Sequence, residues 1–266
     1  MARGRGHNAV TPGGAARRSA PAATVVIDPI DDASRDLWDA TLDLADELPD
    51  GGWALVGGLM VQLHAYRYGQ AGVRATTDID ILANSRARPR SLTEVIAERL
   101  LVLGYQVAQQ TGLIGPPTIY RFEREGEIVD VLGPDGMKGL PPKTLGNNET
   151  FQVPGGTQAL ARTETVEVRV QRGRTGVLRC ASLPAALLLK ARATQSAGRG
   201  QDRADLVVLL SCVDDPFALK QQFRKTELAW LRNAANLRID NSDLADLLPA
   251  EQLARARAAY ALLTAA

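Results

Sequence analysis

Apolar residues recur along this chain at two spacings, one helical and one alternating, and the switches between them mark its elements. Leu37, Ala40, Leu42, Leu44 and Ala45 fit a helix introduced by Asp32-Ala33-Ser34 and ended by Pro49-Asp50-Gly51-Gly52. Trp53-Ala54-Leu55-Val56 reads as a short buried strand, Gly57-Gly58 as a turn, and 59–66 as a helix with Leu59, Met60, Leu63 and Tyr66 at core spacing. Residues 77–82 alternate: Ile79 and Ile81 share one face of a strand, Asp78 and Asp80 the other. An amphipathic helix over 92–103 buries Val95, Ile96, Leu100 and Leu103 and stops at Gly104, and a strand begins near 105–108. Residues 118–123 and 127–132 form a hairpin around Arg124-Glu125-Gly126, followed by a forced turn at Gly133-Pro134-Asp135-Gly136. Residues 139–156 read as loop, 165–170 alternate again, and more sheet reaches Cys180. From Ser182 onward Ala, Leu and Arg follow helical spacing, which predicts a second, helical domain.

Composition changes this picture at the N-terminal end. Residues 1–24 are rich in Ala, Gly, Arg and Pro and carry Arg3, Arg5, Arg17 and Arg18 before the first acid, Asp28, so they read as a disordered basic tail. The same composition fits an organelle transit peptide or a nucleic-acid-binding arm. The tail lacks the apolar run of a secretory signal, and no segment approaches the ~20 apolar residues of a membrane span, so the expected location is the cytoplasm, with no membrane partner. With 31 basic and 30 acidic residues the net charge is +1, which leaves polyanion binding to local patches. Cys180 and Cys212, far apart and in apolar surroundings, read as buried free thiols.

The alternating strand carries the chemistry. Residues two apart on a strand lie about 6.6–6.8 Å apart on one face, so Asp78 and Asp80 can converge on a pair of magnesium ions about 3.5–4 Å apart. Asp130, inside the apolar run Ile128-Val129-Asp130-Val131-Leu132, is the candidate third ligand, since an unpaired acid there would be costly. Gly57 and Gly58, opening a helix, would present free N–H groups and the positive dipole end to phosphate. No Gly-Lys-Ser/Thr follows and GxGxxG is absent, which removes a Walker loop and a dinucleotide fingerprint.

Val56-Gly57-Gly58, a helix, Thr77-Asp78-Ile79-Asp80-Ile81-Leu82, then Val129-Asp130-Val131 together resemble the polymerase-beta-type nucleotidyltransferase pattern. The resemblance implies an α/β fold: a nucleotidyltransferase domain over 25–181, a mixed sheet with flanking helices, followed by a helical domain over 182–266. It also implies that Gly57 and Gly58 bind nucleotide phosphates and that Asp78, Asp80 and Asp130 hold two magnesium ions. Leu188-Leu189-Lys190-Ala191-Arg192-Ala193 with Arg199-Gly200-Gln201-Asp202-Arg203-Ala204-Asp205-Leu206 resembles the AbiEii family of abortive-infection and toxin–antitoxin toxins, over most of the chain. That resemblance implies that Lys190 contacts the triphosphate and that Asp202 or Asp205 lies on the acceptor or catalytic side. It further implies transfer of a nucleoside monophosphate from a nucleoside triphosphate to the 3′ end of a transfer RNA, with a cognate antitoxin as partner.

Each of these residues also has a plainer reading. The Lys190 stem can lie along its apolar helix while the ammonium reaches water, and Asp202 and Asp205 have the spacing of a helix cap. The segment between Lys190 and Asp202, with Gly198 and Gly200, has the composition of a mobile turn. His64 reads as a packed or surface residue, Arg67 and Arg74 as loop arginines able to meet phosphate or RNA, and Arg86, Arg88 and Arg90 as a cluster able to steer a polyanion. Two other functions remain open: a transferase acting on an aminoglycoside-like small molecule or a protein, and a nucleotide- or RNA-binding protein without turnover.

Overall fold

Helix α1 (Asp32–Glu47) begins where Asp31 accepts a hydrogen bond from the Ser34 N–H at 2.7 Å, and it buries Trp38, Leu42 and Leu44. The computed structural model describes residues 22–70, 74–86, 89–108, 118–136, 141–195, 200–234 and 248–265. The expectations placed on residues 1–21, on Arg88 and on Gly198 lie outside the described residues.

The strands are β1 (Ala22–Ile27), β2 (Trp53–Leu55), β3 (Asp78–Ala83), β4 (Gln106–Val107), β5 (Arg121–Arg124), β6 (Glu127–Pro134), β7 (Gln152–Val153), β8 (Thr163–Val170) and β9 (Thr175–Ala181). They form one mixed sheet in the order β1-β8-β9-β2-β3-β6-β5-β4, with β7 beside the end of β6. β1 runs parallel to β8, β9 to β2, β3 to β6 and β6 to β7, while the β2–β3, β4–β5, β5–β6 and β8–β9 pairs are antiparallel. The mixed α/β expectation therefore holds. The β5–β6 hairpin closes on Glu125 and Gly126, both at positive φ (50° and 91°), the two-residue turn that matches strand twist.

Three local expectations change. Residues 22–24, expected to belong to a tail, are instead the start of strand β1 (Ala22–Ile27), paired with β8. The turn expected at Gly133-Pro134 is the last stretch of β6: these residues pair with Gln152 and Val153 of β7, inside the region expected to be loop. Pro134 sits at the strand's end, where a missing N–H is tolerated.

The other α-helices among the described residues are α2 (Gly57–Arg67), α3 (Leu92–Val102), α4 (Gly156–Leu160), α5 (Leu183–Ala193), α6 (Gly200–Ser211), α7 (Pro216–Gln221), α8 (Lys225–Arg232) and α9 (Ala250–Thr264). Beyond Ala181 the described chain is helical. Helix α5 is apolar almost all round and is buried from Leu183 through Ala191 apart from Pro184, packed by α4, α6 and α8. The apolar core is continuous from Val25 in the sheet to Leu263 in α9.

Candidate active site

Three carboxylates meet on one face of the β3–β6 pair because of strand register. Asp80 lies opposite Asp130 across two parallel strands, and Asp78, two residues before Asp80, shares its face. Ile79 and Ile81, each 1% exposed, turn the other way and anchor β3 in the core. One oxygen from each of Asp78, Asp80 and Asp130 can be chosen so that all lie within 4.8 Å of one another, close enough to share a cation. Carboxylate oxygens are the hard donors that magnesium takes. Thr76 fixes Asp78 by donating its hydroxyl to Oδ1 at 2.9 Å.

Such crowding is unfavourable without positive charge. Burial, then the neighbouring Asp78 and Asp130, push the Asp80 carboxyl up to about 7. Burial also raises Asp130, although Arg121 opposes this with a two-pronged hydrogen bond, Nε to Oδ1 and Nη2 to Oδ2, both 2.8 Å. The same guanidinium reaches Asp78 Oδ2 at 3.5 Å. Arg121 thus supplies the cation for two of the three acids. Sequence reading missed it, yet counting back from the Glu125-Gly126 turn pairs 124 with 127 and 121 with 130, which puts Arg121 beside Asp130.

The β2–α2 junction closes the other side. The Val56 N–H donates to the Asp80 carbonyl at 2.9 Å, joining the junction to β3, and Val56 precedes α2 without a side-chain cap. Gly57 and Gly58 are therefore the first helical residues, and the orphan N–H groups of the first turn face the cleft that both glycines line. Gly57 has φ +66°, and a methyl there would fall 1.7 Å from Asp80 Oδ2; one on Gly58 would fall 2.7 Å from Thr76 Oγ1. Only glycine lets the helix start this close to the acids.

The cleft holds about 870 Å³, within the size range of small-molecule sites. Lys190 and Asp202 are also among its lining residues. The ammonium of Lys190 does not extend into open solvent: the residue is 6% exposed and its Nζ sits 2.9 Å from Asp202 Oδ1 and 2.7 Å from Asp205 Oδ2. Burial works against the charged lysine, but Asp205 and Asp202 outweigh it and hold its pKa above the ordinary value. Asp205 also accepts from Arg74, at 3.0 Å from Nε and 3.2 Å from Nη2. Asp202 and Asp205 thus spend oxygens on cations rather than capping α6 alone, and Arg74 is tied to that network at the cleft wall.

Other candidates fall elsewhere. Arg67 pairs with Glu164 at 2.8 Å. Arg86 donates to the Asp135 carbonyl and Arg90 pairs with Glu94 and Glu98; neither lines the cleft. His64 is buried, its Nε2 2.9 Å from the Ala181 carbonyl, and burial holds its pKa low. His64, Glu164 and Cys180 cluster closely enough to share an ion, but the Arg67 guanidinium already neutralises Glu164 there. Both cysteines are buried free thiols, as expected, and burial pushes Cys212 up to about 12.

No protein-family model matches the chain, and no curated protein matches it. Among solved structures the chain is similar to an antigenic nucleotidyltransferase-like protein from Paracoccidioides brasiliensis, at 18% identity over 80% of this chain and 93% of that one, with a TM-score of 0.45. No helix among the described residues is long and apolar enough to cross a membrane.

Proposed function

We propose that this protein is a magnesium-dependent nucleotidyltransferase, moving a nucleoside monophosphate from a nucleoside triphosphate onto a hydroxyl acceptor. The observation that carries this reading is the in-register carboxylate trio beside a glycine-opened, uncapped helix start. Phosphoryl-type transfer needs positioning and charge neutralisation more than covalent participation by the protein, and those two features supply both.

Asp78, Asp80 and Asp130 would hold the metal ions. When bound, magnesium lowers the pKa of the attacking hydroxyl and neutralises the leaving pyrophosphate. The first-turn amides of α2 at Gly57 and Gly58 bind the β- and γ-phosphates and keep them against the cleft wall. Lys190, buried between Asp202 and Asp205, lowers the cost of ionising Asp80. Arg121 holds Asp130 oriented toward Asp80. In-line attack of the acceptor hydroxyl at the α-phosphorus would then release pyrophosphate.

For the acceptor, the AbiEii resemblance supports the 3′ end of a transfer RNA, with the protein acting as a cytoplasmic toxin restrained by an antitoxin. Incubation with magnesium, each α-³²P-labelled nucleoside triphosphate and total bacterial RNA tests this. Label should enter RNA with wild type and not with Asp80→Ala. Label moving to protein or to a cationic small molecule would replace the acceptor, and label moving nowhere would overturn the transferase reading.

A further inference from the structure

The last turn of α2 meets the β8–β9 pair at three side chains of metal-binding type, none of which lines the cleft. Glu164 and Cys180 lie directly opposite one another across the two antiparallel strands, so their side chains share a face. His64 comes from α2, with its Nε2 2.9 Å from the Ala181 carbonyl. One donor atom from each of the three can be chosen so that all lie within 4.8 Å of one another. Cys180 and His64 are buried, while the Glu164 side chain is 26% exposed. Glu164 therefore stands at the mouth of the cluster, where an ion can enter.

The imidazole carries the deciding detail. A carbonyl can only accept, so Nε2 bears the ring proton and Nδ1 is a bare lone pair. That buried nitrogen has no hydrogen-bond partner among the described residues. Burial also keeps the ring neutral, the form that binds a metal. One ring nitrogen pinned to a backbone carbonyl with the other left bare is how proteins orient a ligating histidine. Arg67 balances the charge of Glu164 but meets nothing at this nitrogen. It donates to Oε2 at 2.8 Å and leaves Oε1 to give, in the way that ligating carboxylates are steadied by a hydrogen bond from outside.

We propose that His64 Nδ1, Cys180 Sγ and a Glu164 oxygen form a metal site for one zinc-class cation, with water entering past Glu164 as the fourth ligand. Mixed nitrogen, sulfur and oxygen donors suit zinc, whereas magnesium and calcium take oxygen. Burial keeps the Cys180 thiol protonated in the metal-free chain. Binding exchanges that proton for the ion and releases it to solvent. The ion ties the end of α2, whose first turn faces the cleft, to β8 and β9. The site stands whether or not the cleft transfers nucleotides.

The test titrates the full chain, stripped of metal by a chelator and kept reduced, with Co²⁺. One equivalent should produce a near-ultraviolet thiolate-to-cobalt charge-transfer band, which Zn²⁺ then abolishes. Zn²⁺ alone should release a proton to an indicator in weak buffer. Cys180→Ser should lose the band. Cys212→Ser and Asp80→Ala should keep it, because the cleft acids offer cobalt only oxygen. Circular dichroism checks that each variant is folded. A band absent from wild type, retained in folded Cys180→Ser, or lost in folded Cys212→Ser or Asp80→Ala overturns the site. Nitrogen NMR of the imidazole decides without altering the cluster. His7→Gln leaves His64 as the single histidine, and one equivalent of Zn²⁺ should move its Nδ1 resonance while Nε2 keeps its proton. An unmoved Nδ1 resonance overturns the site, as does loss of the Nε2 proton.

Discussion

At Gly57 two constraints meet, a backbone φ of +66° and a side-chain position already filled by the Asp80 carboxylate. An L-residue in that left-handed region costs about 1–2 kcal/mol, and the added methyl must also push Asp80 out of the trio. Gly57→Ala should therefore lower Tm by roughly 2–8 °C, going by the few degrees per kcal/mol typical of chains this size, and weaken magnesium binding in a calorimetric titration. Unchanged magnesium affinity would detach the glycine from the site. Asp80 itself sets a pH dependence. Its folded pKa of about 7 lies above the 3.8 of an ordinary aspartate, so the folded chain keeps a proton that the unfolded chain gives up. Metal-free stability from this group is therefore greatest in acid and declines as pH rises between about 4 and 7. A bound cation takes the proton's place. The gain in Tm from magnesium should be largest near pH 8 and shrink below about pH 7; a gain independent of pH would place the ion elsewhere.

At the scale of elements, the α5–α6 pair is joined by a buried cation shared between two acids. Removing the lysine takes a buried countercharge from both acids, while Arg74 still holds Asp205, a cost of about 3 kcal/mol, the lower end for breaking a buried pair. Lys190→Ala should lose about that much in urea unfolding, whereas Asp202→Asn, which leaves Asp205 on Lys190, should lose less. Equal losses would show that the network is not built around Lys190. The parts of the site legible in the sequence are those set by short-range periodicity: alternation put Asp78 and Asp80 on one face, and the apolar run around Asp130 marked a buried acid. The Lys190–Asp205 contact was visible only as residue types at helical spacing, with no sign that the ammonium would be buried. Tyr120 and Phe151, which both line the cleft, were not legible as neighbours, because segments 118–120 and 149–151 meet only through long-range pairing, as between the Ile119 N–H and the Glu149 carbonyl. Strand β1 escaped notice for the same reason: Ala22–Ile27 has too short an apolar run to stand out, and its place depends on β8.

At the scale of the whole molecule, the core passes without a break from the sheet into α5, α6 and α9. Trp38 and Trp53 report the sheet side and Trp230, on α8, the helical side. A shared core predicts that tryptophan fluorescence and far-ultraviolet circular dichroism trace one coincident urea transition. Two separated transitions would mean that the helices beyond Ala181 hold their own stability. The sheet order also bears on how the chain is made. Val25 of β1 pairs with Val168, and Leu55 of β2 with Cys180, partners well over a hundred residues downstream. At a synthesis rate of about 5–20 residues per second, β1 and one edge of β2 wait roughly 6–30 s on the ribosome before their neighbours exist. During that interval the apolar strand that carries the glycine junction is an open edge, a natural client for a chaperone at the exit tunnel.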